Sequence, residues 1–88
     1  MAVQTGTVVA AASAVILYRV TTPSGVDMLL TTHGNSADVY LGGSDVTPSS
    51  NGVVVPKSTN LQIRVPCGQT LYIAGNGTDT VEWLVFNT

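Results

Sequence analysis

The segment His33-Gly34-Asn35-Ser36-Ala37-Asp38 contains the residue types that could carry out hydrolytic chemistry. A histidine base, a serine nucleophile and an aspartate are the members of a catalytic triad. A working triad takes its members from rigid and usually separate chain segments, whereas glycine and asparagine make this stretch a flexible polar turn. We therefore interpret it as a turn between two strands, and we do not expect the chain to be an enzyme.

Other reactive residues also lack partners at a useful spacing. The chain has one cysteine and one histidine, so a thiol–imidazole pair requires Cys67 to face His33, and Cys67 lies in a turn between a proline and a glycine. The acidic residues lack the spacing of a calcium loop, and a zinc site has no second histidine. Gly42-Gly43-Ser44 leads into Val46-Thr47-Pro48 instead of a helix, so it does not predict a phosphate site. We expect no cofactor, no metal and no small-molecule substrate.

The composition favours burial against other proteins. Eighty-eight residues suffice for one domain, and 9% of them are charged against about 25% in typical soluble domains, while 44% are hydrophobic. The three basic residues, Arg19, Lys57 and Arg64, are scattered, so we expect no nucleic-acid partner. A surface of Thr, Ser, Asn and Ala can be covered by protein without stripping water from ions.

The apolar run from Val8 to Leu17 resembles the centre of a signal peptide, but no basic residue precedes it and Arg19 follows it. The run is also shorter than the roughly 20 residues that span a bilayer. A small secreted domain would usually carry several disulfides, and a single cysteine cannot form one within the chain. We expect synthesis in a reducing cytoplasm and no membrane partner.

Short apolar segments separated by turn residues about every ten positions predict an antiparallel sandwich. Residues Leu61 to Val65 alternate between apolar and polar types, which predicts a strand with one buried face. Residues Thr80 to Phe86 are apolar on both sides in their second half, so this strand is either central or in contact with another chain. Further strands are predicted at residues 14–20, 26–32, 39–41 and 70–74.

Connections and boundaries follow from the same patterns. Asn76-Gly77 predicts a hairpin between the strands at 70–74 and 80–86, and the polar stretch Gly43 to Asn51 predicts a surface loop. Residues 1–12 are predicted to be an N-terminal arm or edge strand that docks on a neighbouring chain, and residues 13–88 a single β-sandwich domain. The fold class is therefore all-β, a small antiparallel β-sandwich or jelly-roll-like domain with an extended N-terminal segment.

Three phrases within residues 26–86 resemble small β-sandwich virion proteins of tailed bacteriophages. They are Val39-Tyr40-Leu41-Gly42-Gly43-Ser44-Asp45-Val46-Thr47, the turn Asn51-Gly52, and Pro66-Cys67-Gly68-Gln69-Thr70-Leu71-Tyr72-Ile73-Ala74. The cysteine between the proline and the glycine departs from the family pattern. The resemblance implies a structural role as a head decoration or head-fibre-like subunit, commonly oligomeric and without catalytic residues.

With this resemblance, we expect a capsid decoration protein that binds the outer surface of the major capsid protein on the virion. Self-association is expected to give a homotrimer in preference to a dimer, because capsid lattices offer three-fold sites. The predicted interface residues are Val3, Val8, Val9, Leu84 and Phe86. The alternative is a tail- or fibre-associated module that binds a cell-surface carbohydrate by stacking it on Trp83, Tyr40 or Tyr72.

Overall fold

The computed structural model describes residues 2–21 and 23–87, which form eight strands. In chain order these are β1 (Ala2–Val9), β2 (Val15–Arg19), β3 (Val26–Thr31), β4 (Val39–Thr47), β5 (Ser50–Val55), β6 (Asn60–Val65), β7 (Thr70–Ala74) and β8 (Thr80–Asn87). Their β-branched and aromatic residues favour the extended backbone, and glycine, proline and asparagine occur at the turns.

The strands form two four-stranded antiparallel sheets that pack against each other. Sheet A has the order β1-β8-β3-β6, and sheet B has the order β2-β7-β4-β5. Only β4 and β5 are neighbours both in the chain and in a sheet, so the other connections cross between the sheets. This is the topology of an eight-stranded jelly roll, and it confirms the predicted all-β sandwich.

The core lies between the inner faces of the two sheets, and its most buried side chains are mostly aliphatic, together with Met28 and Thr32. Sheet A contributes the inward side chains of its two central strands, β3 and β8, and sheet B those of β4 and β7. The buried side chains include Leu17, Val20, Val26, Met28, Leu30, Val39, Leu41, Val55, Val65, Ile73, Val81 and Val85. Burying each of these side chains stabilises the fold by about 1.5–3 kcal/mol before chain entropy is counted.

Two predicted strands have the environments that their patterns indicated. In β6, Val65 is buried and Leu61 and Ile63 are half-buried, whereas Gln62 and Arg64 are exposed. Strand β8 is central in sheet A, between β1 and β3, which explains why it is apolar on both sides.

Two predicted connections are wrong. Strands β7 and β8 do not form a hairpin, because β7 belongs to sheet B and β8 to sheet A, and the Asn76-Gly77 turn joins the two sheets. The stretch Gly43 to Asn51 is not a loop: β4 continues to Thr47 and β5 begins at Ser50. The positive φ angles expected at the Asn-Gly pairs occur at Gly77 (92°) and at Asn51 (63°).

Residues 2–9 of the N-terminal segment are the edge strand β1 of sheet A. They pair with β8 of the same chain, from Ala2 opposite Asn87 to Val9 opposite Thr80. Ala10, which follows β1, is completely buried, and its N–H donates to the Asp79 carbonyl at 2.8 Å. The segment is therefore integrated into the sandwich within a single chain.

Candidate assembly surfaces

In the polar turn at residues 33–38, the three residue types of a catalytic triad each form hydrogen bonds with a different partner. Ser36 donates its Oγ–H and its backbone N–H to the Asp79 carboxylate, at 3.1–3.3 Å. Asp38 accepts the Lys57 backbone N–H at 3.0 Å, and the His33 backbone N–H donates to Thr31 Oγ1 at 3.1 Å. Within residues 2–21 and 23–87, no hydrogen bond joins His33 to Ser36 or Asp38.

Asp79 connects this turn to the β7–β8 connection. Its carboxylate also accepts the Ala37 backbone N–H at 2.9 Å and the Asn76 side-chain amide at 3.0 Å. The Ser36 backbone N–H, followed by Ala37 and the side chains of Ser36 and Asn76, lowers the pKa of Asp79, and partial desolvation opposes this shift. The ionised carboxylate therefore fixes the connection that carries the chain from sheet B to sheet A.

We expect acid to weaken the fold through Asp79. Because the pKa of Asp79 is lower in the folded than in the unfolded chain, its contribution to stability is complete above the ordinary pKa of 3.8 and is lost as the pH falls through the folded value. Thermal unfolding followed by circular dichroism from pH 7 to pH 2.5 should give a shallower acid loss for Asp79→Asn than for the unmodified chain.

The matched control is Asp45→Asn, because Asp45 is an exposed acid whose carboxylate has no hydrogen bond among the described residues. This variant should retain the acid profile of the unmodified chain. Identical profiles for Asp79→Asn and the unmodified chain would contradict the assignment.

The outer surface of sheet A, which we call the A face, carries a row of apolar side chains. Val3 pairs with Phe86 across β1 and β8, and Leu84 pairs with Leu29 across β8 and β3. Val3 is 59% exposed and Leu29 is 40% exposed. Directly paired apolar side chains on a solvent-facing sheet surface form a patch that another protein can bury.

A shallow groove of about 580 Å³ crosses the A face. Its polar lining residues include Thr31, His33, Asn60 and Glu82, while Leu29 and Leu84 contribute apolar surface. Glu82 pairs with Thr7 on one side and with Thr31 on the other. Elsewhere on this face, Asp27 and Arg64 are opposite each other and form an ion pair at 3.1 Å.

The outer surface of sheet B, which we call the B face, is also apolar but has a different charge. Ile16 pairs with Tyr72, and Tyr40 lies opposite Val54. Ile16 and Val54 are each 45% exposed. Arg19, opposite Thr70, is the charged side chain that the strand register places on this face.

The structure groups four of the five predicted interface residues. Val3, Val9, Leu84 and Phe86 have their side chains on the A face, by their pairing positions on β1 and β8. Val8 is on the opposite side of β1 and packs against the core, so its side chain is used within the fold.

The sequence interpretation did not find four of the exposed aliphatic residues. These are Leu29 on the A face, Ile16 and Val54 on the B face, and Val53 on the edge strand β5. Val53 is 68% exposed, and a run of three valines at residues 53–55 was a signal that could have identified it.

The aromatic residues proposed as a stacking platform are divided between the inside and the outside. Trp83 is on the inner face of sheet A, where its ring meets the edge of Tyr18 at a centroid distance of 4.9 Å. Tyr40 and Tyr72 are both half-buried on the B face. Trp83 is half-buried with its ring against the core, so of the three aromatic residues proposed for stacking, Tyr40 and Tyr72 are the two on an outer face.

Cys67 is exposed in the turn between β6 and β7 and is a free thiol. Among the described residues, no group of three or more His, Cys, Asp or Glu side chains could hold a metal ion. The same part of the chain contains no helix with the length and apolar character needed to cross a membrane.

No known family model and no curated protein matches the sequence. A solved structure described as "Bacillus endospore appendages form a novel family of disulfide-linked pili" is similar in fold, with a TM-score of 0.68 and 19% sequence identity. The match covers 96% of this chain and 80% of that chain. At this level of identity the likeness shows that the two chains share an all-β sandwich fold.

Proposed function

We propose that this chain is a structural bacteriophage virion protein, a capsid decoration subunit that binds the outer surface of the major capsid protein and reinforces it. The observation that carries the proposal is the sparsely charged, partly aliphatic outer surface of both sheets, with exposed Val3, Leu29, Ile16 and Val54. Covering such a surface gains about 25 cal/mol per Å² of apolar area, and few ions lose their hydration. The sequence phrases that resemble phage virion proteins specify the kind of particle.

Two sheet edges support attachment to a partner chain. Natural proteins usually protect edge strands with charges, prolines or bulges. Neither β1 (AVQTGTVV) nor β5 (SNGVVV) contains a charged residue or a proline. Their outer backbone groups are available for pairing with a strand of the capsid protein, which would add main-chain hydrogen bonds to the apolar contacts.

The test is the composition of the particle. Mass spectrometry of purified virions from the producing host should detect the chain at a stoichiometry set by the capsid lattice, and cryo-electron microscopy should place it on the outer shell. Absence of the chain from mature particles would overturn the proposal.

A point variant tests the edge without disturbing the core. Val53→Lys places a protecting charge on β5 at an exposed position, so we expect a folded protein that occupies particles at a strongly reduced level. The control is Gln69→Lys, which adds the same charge at an exposed position in the turn between β6 and β7, away from β5. Equal occupancy by both variants would exclude β5 as the attachment edge.

A second candidate function, a subunit of a surface appendage, is favoured by the fold shared with the endospore pilus protein. One exposed cysteine can link two chains by a disulfide, but a covalent polymer requires at least two cysteines in each subunit, and these 88 residues contain only Cys67. An appendage built from this chain would therefore rely on non-covalent contacts. Filaments in micrographs of the purified chain, together with absence from virions, would favour this function.

A further inference from the structure

We propose that the A face of one copy of this chain binds the B face of a second copy, in a head-to-tail contact that aligns Glu82 with Arg19. This inference deepens the proposed function, on which it rests, by naming the surfaces through which the structural subunit associates with itself. It depends on the charges, the spacing and the area of the two faces.

The two faces carry opposite charges that lack partners within the chain. On the A face, Asp27 and Arg64 neutralise each other, which leaves Glu82 as the uncompensated charge. On the B face, the strand register places Arg19. Neither Glu82 nor Arg19 forms an ion pair among the residues that the structure describes, and both are exposed. Opposite single charges favour an A face on a B face and disfavour two like faces.

The spacing of charge and apolar side chains is the same on both faces. On the A face, Glu82 lies two residues before Leu84, which pairs with Leu29. On the B face, Arg19 is opposite Thr70, two residues before Tyr72, which pairs with Ile16. Two residues along a strand span about 7 Å, so in each case the charge lies about 7 Å from a directly paired apolar couple. Both contacts can therefore form at the same time.

The faces are also large enough for a specific contact. The molecule measures 34 × 25 × 16 Å along its principal axes, so its broad side is bounded by 34 and 25 Å. A face of these dimensions encloses about 800 Å², which matches the area that each partner buries in a standard protein–protein interface. The groove of about 580 Å³ beside Leu84 gives the A face a depression that can receive protruding side chains of the B face.

A contact between two different faces leaves one free face on each end of a dimer. Such heterologous contacts continue until the rotation between copies closes a ring, or they continue as a filament. Because the A face and the B face lie on opposite sides of the sandwich, repeated contacts of this kind stack the copies in one direction, so the pairing favours an open stack over the closed trimer expected from the sequence.

Sedimentation velocity of charge-reversal variants tests the pairing. Glu82→Lys alone, or Arg19→Glu alone, places two charges of the same sign opposite each other across the contact. We expect each single variant to raise the dissociation constant for self-association about 100-fold. The double variant Glu82→Lys with Arg19→Glu exchanges the two charges and should associate nearly as well as the unmodified chain. Mixing the two single variants should also restore association, because every contact in the mixture between unlike variants again joins opposite charges.

The control variants also change the charge of the protein, but at positions outside the A face and the B face. Lys57→Glu and Gln69→Lys alter exposed residues in the β5–β6 and β6–β7 turns and should leave the association unchanged. Circular dichroism melts should show that each variant folds. If a charge variant does not fold, Leu84→Thr and Ile16→Thr test the same contact through its apolar part, and each should weaken association.

The possible results separate this inference from the proposed function. A monomer at all concentrations overturns the face pairing, while detection of the chain in virions would still support the proposed function. Self-association that is lost in Glu82→Lys but unchanged in Arg19→Glu indicates two A faces in contact and also overturns it. Restoration in the double variant and in the mixture supports the head-to-tail contact, even if the chain is absent from virions.

Discussion

Replacing Trp83 with alanine should lower the free energy of unfolding by about 3–5 kcal/mol, the usual cost of removing a large aromatic side chain from a core. The ring packs against the core and against Tyr18, at a centroid distance of 4.9 Å, so its removal leaves a cavity between the two sheets. A domain of this size has a total stability of about 4–13 kcal/mol, so much of the fold's stability would be lost. Circular dichroism should show the thermal midpoint falling by more than about 10 °C.

Two variants identify packing as the cause of this loss. Trp83→Phe keeps an apolar ring and should cost much less, because the indole N–H of Trp83 has no hydrogen-bond partner among the described residues. Tyr72→Ala removes an aromatic ring from the B face and should cost about 1 kcal/mol or less. Similar losses for Trp83→Ala and Tyr72→Ala would contradict the inward position of Trp83.

Adding a single methyl group at Gly6 should cost about 1–3 kcal/mol, the range for overpacking. Gly6 lies opposite Trp83 in the β1–β8 pairing, and a Cβ atom there would be 2.5 Å from Cζ2 and 2.7 Å from Cε2 of the indole. Atoms this close must move apart, and the Trp83 ring is held between the strand and Tyr18. Urea unfolding of Gly6→Ala, followed by circular dichroism, should give a lower midpoint.

A double-mutant cycle assigns the cost to one pair of residues. In a Trp83→Leu background, which removes the clashing ring atoms, Gly6→Ala should cost much less than in the unmodified chain, so the two changes are coupled. Gly43→Ala is the control, because the nearest atom to its added methyl group is a side-chain oxygen of Asp45 at 3.6 Å. A penalty at Gly6 that persists without the ring would point to the backbone of β1 as the cause.

The strands were predictable wherever one face is buried. Alternation at Leu61 to Val65 identified β6 and the direction of its side chains, because successive residues in a strand point to opposite faces. The two-sided apolar character of Thr80 to Phe86 indicated a strand that is either central or in contact with another chain, and the structure shows it to be central. The stretch Gly43 to Asn51 was misinterpreted because these strand residues are largely exposed and polar, so no buried face left a pattern in the sequence.

Sheet membership was not predictable from local sequence. An Asn-Gly pair between two strands favours a hairpin, and nothing in residues 75–79 indicates that the chain passes from one sheet to the other. The crossing is determined by distant contacts: Ala10 accepts the Gly77 N–H, Ala11 accepts the Gly75 N–H, and Asp79 binds Ser36. These partners are far apart in sequence, so only the folded chain brings them together.

The candidate surfaces were partly predictable for the same reason. Leu84 and Phe86 were identified by the alternation of the last strand, whereas Val3, Val8 and Val9 were chosen together as apolar residues of an N-terminal segment without a clear period, so the core position of Val8 was missed. Leu29 was missed because it lies in an apolar strand where outward and inward residues look alike. Ile16 was missed because the register of β2 shifts between Ile16 and Tyr18, which breaks the alternation that a sequence pattern depends on.

The pairing of the first strand with the last has a consequence for how the chain acquires its structure. Within this domain β1 is synthesised before its partner β8, so sheet A cannot be completed until all eight strands have left the ribosome. Pairing of segments that are far apart in the sequence also slows folding, because the intervening loop loses conformational entropy before any contact offsets that loss. We therefore expect the aliphatic β1 segment to stay unpaired in the nascent chain until β8 has been synthesised.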